Sequence, residues 1–280
     1  MSEAATTPTT LPSIAVVGAG VMGGTMIAAL RAAGWPGTAI TVAEHRPERR
    51  AELVSDHGVR LADDAPGAVA DADVVILAVK PQQMGEVLDA IGASVSPAAL
   101  VLTVAAALPA SFYEERLMDG IAVVRAMPNT PSIVGRGATS ISPGAHATEE
   151  HLALVERMLA ATGLVVRVDE PLIEAVTVVA GSAPAYYYAI VEAVVEAGVM
   201  QGLDRDVAVR MAQQTFIGAG ALLEQSGDTP AHLRERVSSP GGTTLAALKA
   251  MEHAGLQGVI SAGANAAVAR SRQLGVELAG

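Results

Sequence analysis

From Ser13 to about Val168, short apolar runs alternate with stretches whose apolar residues recur at helical spacing. Strands are expected over residues 14–17, 39–43, 74–79, 100–104, 122–125, 139–141 and 164–168. Several of these are unbroken runs of Val, Ile, Leu and Ala, the pattern of strands buried on both faces of a parallel sheet. Between them the spacing predicts helices over 22–33, 48–57, 82–91 and 149–161. Pro47 and Pro81 stand at or just before helix starts, where a missing N–H costs nothing. Thr148, followed by Glu149 and Glu150, reads as an N-cap with acids in the first turn. Alternation of this kind predicts a doubly wound α/β domain.

After Asp169 the strand signal disappears. Residues 171–200, 204–225, 231–237 and 243–270 carry helical spacing with many Ala, Val and Leu positions. Pro184 is expected to kink or break the first of these, because it lacks an N–H and its ring crowds the preceding turn. The chain is therefore divided into a tail over 1–12, expected to be flexible, an α/β domain over 13–168 and an all-helical domain over 169–280. Ala or Gly recurs along 175–202 and 255–269. A helical piece this apolar is expected to bury its surface against a second copy of itself, giving a homodimer or a larger homo-oligomer built from dimers.

Composition narrows the function classes. The chain has 280 residues, 51% of apolar types, and 18 basic against 29 acidic side chains, for a formal charge of −11. Such an acidic balance argues against a general nucleic-acid binder. Seven aromatics, one of them Trp, leave little for base stacking. The absence of cysteine removes disulfides, thiolate metal sites and cysteine nucleophiles together. The longest charge-free stretch, 91–113, is interrupted by Pro97 and Pro109, and the piece between them is too short to span a bilayer. Residues 1–12 have neither a basic region nor an apolar core, so a signal peptide is not expected and a cytoplasmic protein without a membrane partner is.

Five segments carry candidate chemistry. Gly18-Ala19-Gly20-Val21-Met22-Gly23 follows the first expected strand and opens the first helix. Its glycines permit a tight turn and close approach of backbone to a pyrophosphate, whose charge then meets a helix N-terminus. Glu44 lies 21 residues after Gly23, about where an acid holds a ribose 2′-hydroxyl. It is followed by His45, Arg46, Arg49 and Arg50, and an arginine there suits a 2′-phosphate. The choice between NADH and NADPH stays open on these residues. The strand over 74–79 ends in Lys80-Pro81, and its carboxyl end is expected to face the cofactor crevice. Arg125-Ala126-Met127-Pro128-Asn129-Thr130-Pro131 closes another strand with a turn that two prolines stiffen, and Asn129 and Thr130 supply donors there. In the helical half, Ser238-Ser239-Pro240-Gly241-Gly242-Thr243-Thr244 precedes a helix start. Two hydroxyls and several backbone N–H groups converge there, a geometry suited to a small carboxylate.

Other chemistry finds no support. His45, His57, His146, His151, His232 and His253 form no metal-binding spacing, so no metal site is expected. There is no G-x-S-x-G elbow and no P-loop lysine. A nicotinamide would supply the hydride while the protein provides position and charge.

Taken together these segments resemble the pyrroline-5-carboxylate reductase family over nearly the whole chain, from Ile14 to about Gly275. The resemblance rests on the Gly18–Gly23 turn, Ala78-Val79-Lys80-Pro81, Met127-Pro128-Asn129-Thr130-Pro131, Gly181-Ser182-Ala183-Pro184-Ala185-Tyr186 and, most specifically, Val237-Ser238-Ser239-Pro240-Gly241-Gly242-Thr243-Thr244. It implies an N-terminal Rossmann-type NAD(P)-binding domain, an all-helical C-terminal dimerisation domain, and NAD(P)H-dependent reduction of 1-pyrroline-5-carboxylate to L-proline. By position it implies that Gly18, Ala19, Gly20, Val21, Met22 and Gly23 hold the pyrophosphate. From the residues alone, Glu44 and Arg46 would meet the adenosine end. Ala78, Val79, Lys80, Pro81, Ala106 and Asn129 would lie along the rest of the coenzyme.

The same resemblance assigns the substrate carboxylate to Ser239, Gly241, Gly242, Thr243 and Thr244, with Val237 near the ring. Thr244 and Ser239 are then the candidate catalytic residues, and the site would be completed across the dimer. The chain departs from the family pattern at Asp63-Asp64-Ala65-Pro66, at Ala107 where Gly is common, at Ala183 within Gly-Ser-Ala-Pro, and at Glu44-His45-Arg46. None of these touches the carboxylate loop. Two rival readings are another imine or β-hydroxyacid-type reductase on the same scaffold, and a non-catalytic dinucleotide-sensing dimer. A sensor has no need of a carboxylate cradle.

Overall fold

The structure, a computed structural model, describes residues 11–279; most of the expected 1–12 tail lies outside them. The chain divides into two compact units. One runs to Gly181 and takes in the end of the last helix from Val268; the other spans Ser182–Ala267.

The first unit is built on β1 (Ile14–Val17), β2 (Ile40–Ala43), β3 (Arg60–Leu61), β4 (Val74–Leu77), β5 (Leu100–Thr103), β6 (Ala122–Met127), β7 (Gly137–Pro143) and β8 (Gly163–Arg167). They form one sheet in the order β3-β2-β1-β4-β5-β6-β7-β8. The first six are parallel, with Ile14 level with both Ile40 and Val74. Around it lie α1 (Val21–Ala32), α2 (Pro47–His57), α3 (Ala65–Val69), α4 (Met84–Ile91), α5 (Ala110–Glu114) and α6 (Glu149–Leu159).

Alternate strand residues feed two cores. Ile14, Val16, Val74, Ile76, Leu100, Leu102 and Val124 pack with Met26, Ile27 and Leu30 of α1 and Val155 and Met158 of α6. Ala15, Val17, Val75, Leu77, Val101 and Val123 pack with Met84, Leu88 and Ile91 of α4 and Phe112 and Tyr113 of α5. Both faces are covered, so the central strands read as continuous apolar runs. This is the doubly wound α/β domain the alternation predicts.

Several details differ from the sequence expectation. The β3 strand and the helices α3 and α5 span two to five residues each, too few to show a period. The β7 strand is longer than the expected 139–141 and runs antiparallel to β6, with Met127 level with Ser140. Its connection is a short 3-10 turn over Thr130–Val134 that ends at Gly135 with φ +68°, and an antiparallel neighbour needs no crossover helix. Thr148 caps α6 as expected, and His151 completes the reciprocal bond in place of an acid.

The 171–200 stretch is interrupted as Pro184 predicts. After α7 (Ile173–Val176) comes a single π-helical turn, Thr177–Gly181, and a fresh helix α8 (Ala183–Met200) begins with Pro184 in its first turn. Pro184 has no N–H to offer the carbonyl four residues back, that of Ala180. That carbonyl instead accepts from Asn129 Nδ2 at 3.1 Å.

Then follow α9 (Arg205–Ser226), capped by the Asp204 side chain, α10 (Pro230–Arg236), α11 (Thr243–His253) and α12 (Leu256–Ala279). The single helix expected over 243–270 is two, because Gly255 turns the backbone at φ +85° between α11 and α12. Within the second unit α8 and α9 pack side by side, with Tyr187 and Phe216 ring centroids 6.0 Å apart.

Candidate active site

The three glycines after β1 do separate work. Gly18 has φ +86°, and a Cβ there would stand 2.8 Å from Val79. Gly23 lies so close to the Gly18 carbonyl that no side chain fits between α1 and the turn. Around Gly20 a Cβ would meet nothing within 4 Å, so the backbone is open to a ligand. Gly20 is also the N-cap of α1 and bears no side-chain cap, which leaves the N-terminal N–H groups of that helix available. This arrangement fits a pyrophosphate.

These residues line a cleft of about 670 Å³ at the carboxyl ends of β1, β2 and β4, where the strand order reverses. It brings together Gly18, Ala19, Gly20, Glu44, Arg46, Ala78, Val79 and Lys80. Among the remaining coenzyme candidates, Val21 is exposed beside it and Met22 packs on the first core. Gly23 lies beneath the turn, while Pro81 begins a 3-10 turn after β4. Ala106 is exposed in the segment after β5. Asn129 stands apart from the cleft: both of its polar atoms are taken, by the Ala180 carbonyl and by Ala138 N–H at 2.9 Å. The sequence reading missed His45, Asp63, Asp64, Gln83 and Glu86 as lining residues. Asp63, Asp64 and His45 had left a signal, as departures from the family pattern.

The acid at the end of β2 is buried and heavily bonded. Glu44 Oε1 accepts from the backbone N–H of His45 (2.9 Å) and Arg46 (3.0 Å) and from Arg46 Nε (3.0 Å). Its Oε2 accepts from Arg46 Nη2 (2.9 Å) and Ala19 N–H (3.2 Å). The Arg46 guanidinium, helped by these backbone donors, holds the Glu44 carboxyl down at about 2 against the cost of burial. Arg49 donates to the Ala19 carbonyl and to Glu52, and Arg50 to the carbonyls of Glu44 and Ala62. The basic cluster after Glu44 is therefore mostly internal scaffolding for the turn, which residue order alone does not reveal.

The carboxylate-loop candidates lie together in the second unit. Gly241 has φ +72°, and Gly242 N–H donates to Ser239 O at 2.9 Å. A Cβ on Gly242 would press on Ser239 Oγ at 2.5 Å, so a side chain there would displace that hydroxyl. Gly242 is the N-cap of α11, again with no side-chain cap. Ser239, Thr243 and Thr244 are exposed, as is Val237. Ser238 Oγ ties the loop to α10 through the Arg234 carbonyl at 2.7 Å. No group of three or more His, Asp or Glu residues able to hold a metal occurs among the described residues.

A glycine turn at the switch point of a doubly wound sheet, open to a ligand and flanked by an acid–arginine pair, defines a nicotinamide-dinucleotide oxidoreductase. Comparisons with known proteins carry this further. Residues 170–274 match the family model for pyrroline-5-carboxylate reductase dimerisation, and residues 13–107 match that for NADP oxidoreductase, coenzyme F420-dependent. The pyrroline-5-carboxylate reductase of Pseudomonas aeruginosa is 38% identical over 95% of this chain and 98% of its own. The solved structure of a pyrroline-5-carboxylate reductase from Coxiella burnetii is 33% identical, with a TM-score of 0.88, over 94% of this chain and 98% of that one. The Plasmodium falciparum pyrroline carboxylate reductase, solved with NADP bound, shares the fold at 22% identity and a TM-score of 0.81, over 94% and 98%. The chain belongs to the pyrroline-5-carboxylate reductase family, as its motifs suggest.

Proposed function

We propose that this chain reduces 1-pyrroline-5-carboxylate to L-proline with NADPH or NADH, the last step of proline biosynthesis. The observation that carries the reading is the uncapped, twin-glycine N-terminus of α11 with three exposed hydroxyls, in a chain that also has an open dinucleotide cleft. When bound, the reduced nicotinamide supplies the hydride that reaches the imine carbon.

The chain's own residues do the rest. Gly18, Ala19 and Gly20, with the first N–H groups of α1, hold the pyrophosphate, and Gly23 lets α1 sit close enough to do so. Ala78, Val79 and Lys80 border the coenzyme at the end of β4. Ser239, Gly241, Gly242, Thr243 and Thr244 bind the substrate carboxylate through hydroxyl and backbone donors, with Val237 against the ring. The loop contains no titratable side chain, so the imine nitrogen either arrives protonated and reacts as the iminium or takes its proton through Thr244 or a water. The gain in rate then comes from orientation of the bound carboxylate.

The working division is a coenzyme domain over 13–168 and a helical substrate and dimerisation domain over 169–280, acting as a cytoplasmic homodimer or a homo-oligomer of dimers. Neither a nucleic acid nor a membrane is part of this reading. A steady-state assay of pyrroline-5-carboxylate with NADPH and NADH side by side tests it. Turnover with at least one coenzyme is expected, and none with either would overturn it.

A further inference from the structure

Glu44 has no acceptor left to give. An ionised carboxylate offers about four lone-pair directions, and this one receives five N–H bonds, from Ala19, His45 and Arg46. A ribose 2′-hydroxyl donating to an acid at this position finds no free oxygen unless Arg46 turns away. The guanidinium is used on one edge only. Its Nε and Nη2 close on Glu44, while Nη1 has no hydrogen bond among the described residues and the side chain is 49% exposed in the cleft. That open end, carrying Nη1 and Nη2, matches the oxygens of a phosphate. Arg49 and Arg50 are committed elsewhere, which leaves Arg46 as the arginine facing this end of the cleft.

Opposing it stand negative charges. Glu44 is ionised and fixed beside Arg46, and Asp63 and Asp64 line the same cleft, with Asp64 also capping α3 through Gly67 N–H. A 2′-phosphate brought to Arg46 gains a bidentate partner and meets these carboxylates at once.

We propose that Glu44 and Arg46 form a two-residue coenzyme selector, in which Arg46 grips the 2′-phosphate of NADPH by its open end and Glu44 holds that grip back in favour of NADH. It rests on the reading that the cleft binds a nicotinamide dinucleotide. The two residues then move the coenzyme ratio in opposite directions. Removing the Glu44 charge frees the second edge of Arg46 and removes a repulsion, so NADPH gains on NADH. Removing Arg46 takes away the phosphate partner and frees Glu44 for the ribose hydroxyl, so NADH gains on NADPH.

The test is calorimetric binding of NADPH and NADH to the full chain and its variants, independent of turnover. Glu44→Gln is expected to raise the NADPH-to-NADH affinity ratio about tenfold, and Arg46→Ala to lower it about tenfold, the scale of one charge-assisted hydrogen bond. Arg46→Lys, which keeps the charge but not the fork, is expected to recover part of the loss. Glu44 also anchors Ala19 N–H, so a loosened turn would weaken both coenzymes and cancel in the ratio. The pair 2′,5′-ADP and 5′-ADP is expected to show the same two shifts. Parallel changes for both coenzymes, or shifts of the same sign in both variants, would overturn the selector while leaving the proposed reaction standing. Failure of either coenzyme to bind the unaltered chain would overturn both.

Discussion

Thr244 and Ser239 are exposed hydroxyls whose absence changes no internal hydrogen bond among the described residues, so their substitution reads function rather than folding. Thr244→Ala and Ser239→Ala are each expected to raise KM for pyrroline-5-carboxylate about tenfold, the loss of one hydrogen bond to a charged group. Unchanged steady-state kinetics in both would remove the carboxylate assignment. Ala107 makes a different point. It alone among the described non-glycine residues has a positive φ, +71°. A left-handed Ala costs about 1 kcal/mol or more, part of which glycine gives back as unfolded-state freedom. Ala107→Gly is thus expected to stabilise the chain by about 0.5 kcal/mol in thermal or urea unfolding; a lower melting temperature would contradict the strain. Glu44 contributes to the loss of stability in acid. Its carboxyl is depressed from 4.5 to about 2, so its contribution is complete above pH 4.5 and is lost as pH falls towards 2. With Arg46 half exposed and screened, this amounts to on the order of 2 kcal/mol. In Glu44→Gln, the drop in urea-unfolding stability between pH 5 and pH 2.5 is expected to be smaller than in the unaltered chain by about that amount. The position of Glu44 was legible in the sequence, 21 residues past the glycine turn. Its saturation was not, because Ala19 and Arg46 converge on it only in the folded turn.

Elements were legible where they were long or punctuated. The glycine turn, the apolar runs of β1, β4 and β5, and the cap at Thr148 all carry a local signal, and each stands where the sequence puts it. The misses share a cause, which is that partner and direction are non-local. Nothing within residues 137–143 says that β7 runs against β6, and nothing near Asn129 says that its amide braces Ala180 and Ala138. Its Nδ2 and Oδ1 join the turn after β6 to β7 and to the carbonyl that Pro184 leaves without a helical donor. Asn129 is 8% exposed, so removing its amide strands the partly buried Ala138 N–H and the buried Ala180 carbonyl. Asn129→Ala is expected to destabilise the chain by about 2 kcal/mol, one unsatisfied buried group at the lower end of the range for each side. An unfolding midpoint unchanged by the substitution would show that water replaces the brace. Coenzyme affinity, if measured alongside, is expected to move less than stability, since Asn129 stands apart from the cleft.

At the scale of the whole molecule, the second unit does not close a core of its own. Within residues 182–267 only Ala183, Pro184, Val195 and Ala208 are buried, while Met200, Val207, Met211, Ile217, Leu222 and Val259 stay exposed. Glu170–Met200 is by length and apolarity sufficient to cross a bilayer. Its place in a segment matching a dimerisation model gives that apolar surface another destination, a protein partner. Between α8 and α9 runs an apolar groove lined by Ile190, Val194, Leu203, Met211 and Phe216, which a second copy can fill with the same kinds of side chain. Folding and association of this half are then one event, and stability depends on chain concentration. Met211→Asp places a charge in the groove without disturbing either β-sheet core, since Met211 is 63% exposed in the single chain. Sedimentation equilibrium is expected to show the unaltered chain as a dimer or larger assembly and the variant as a monomer. The melting temperature of the unaltered chain is expected to rise with concentration and that of the variant to stay constant. The variant should retain NAD(P)H binding, because the cleft belongs wholly to the first unit, and lose most of its turnover. A variant that stays assembled would place the partner surface elsewhere on the helices. One that falls to monomers yet keeps full activity would show that a single chain completes the site, and the dimer would then serve stability alone.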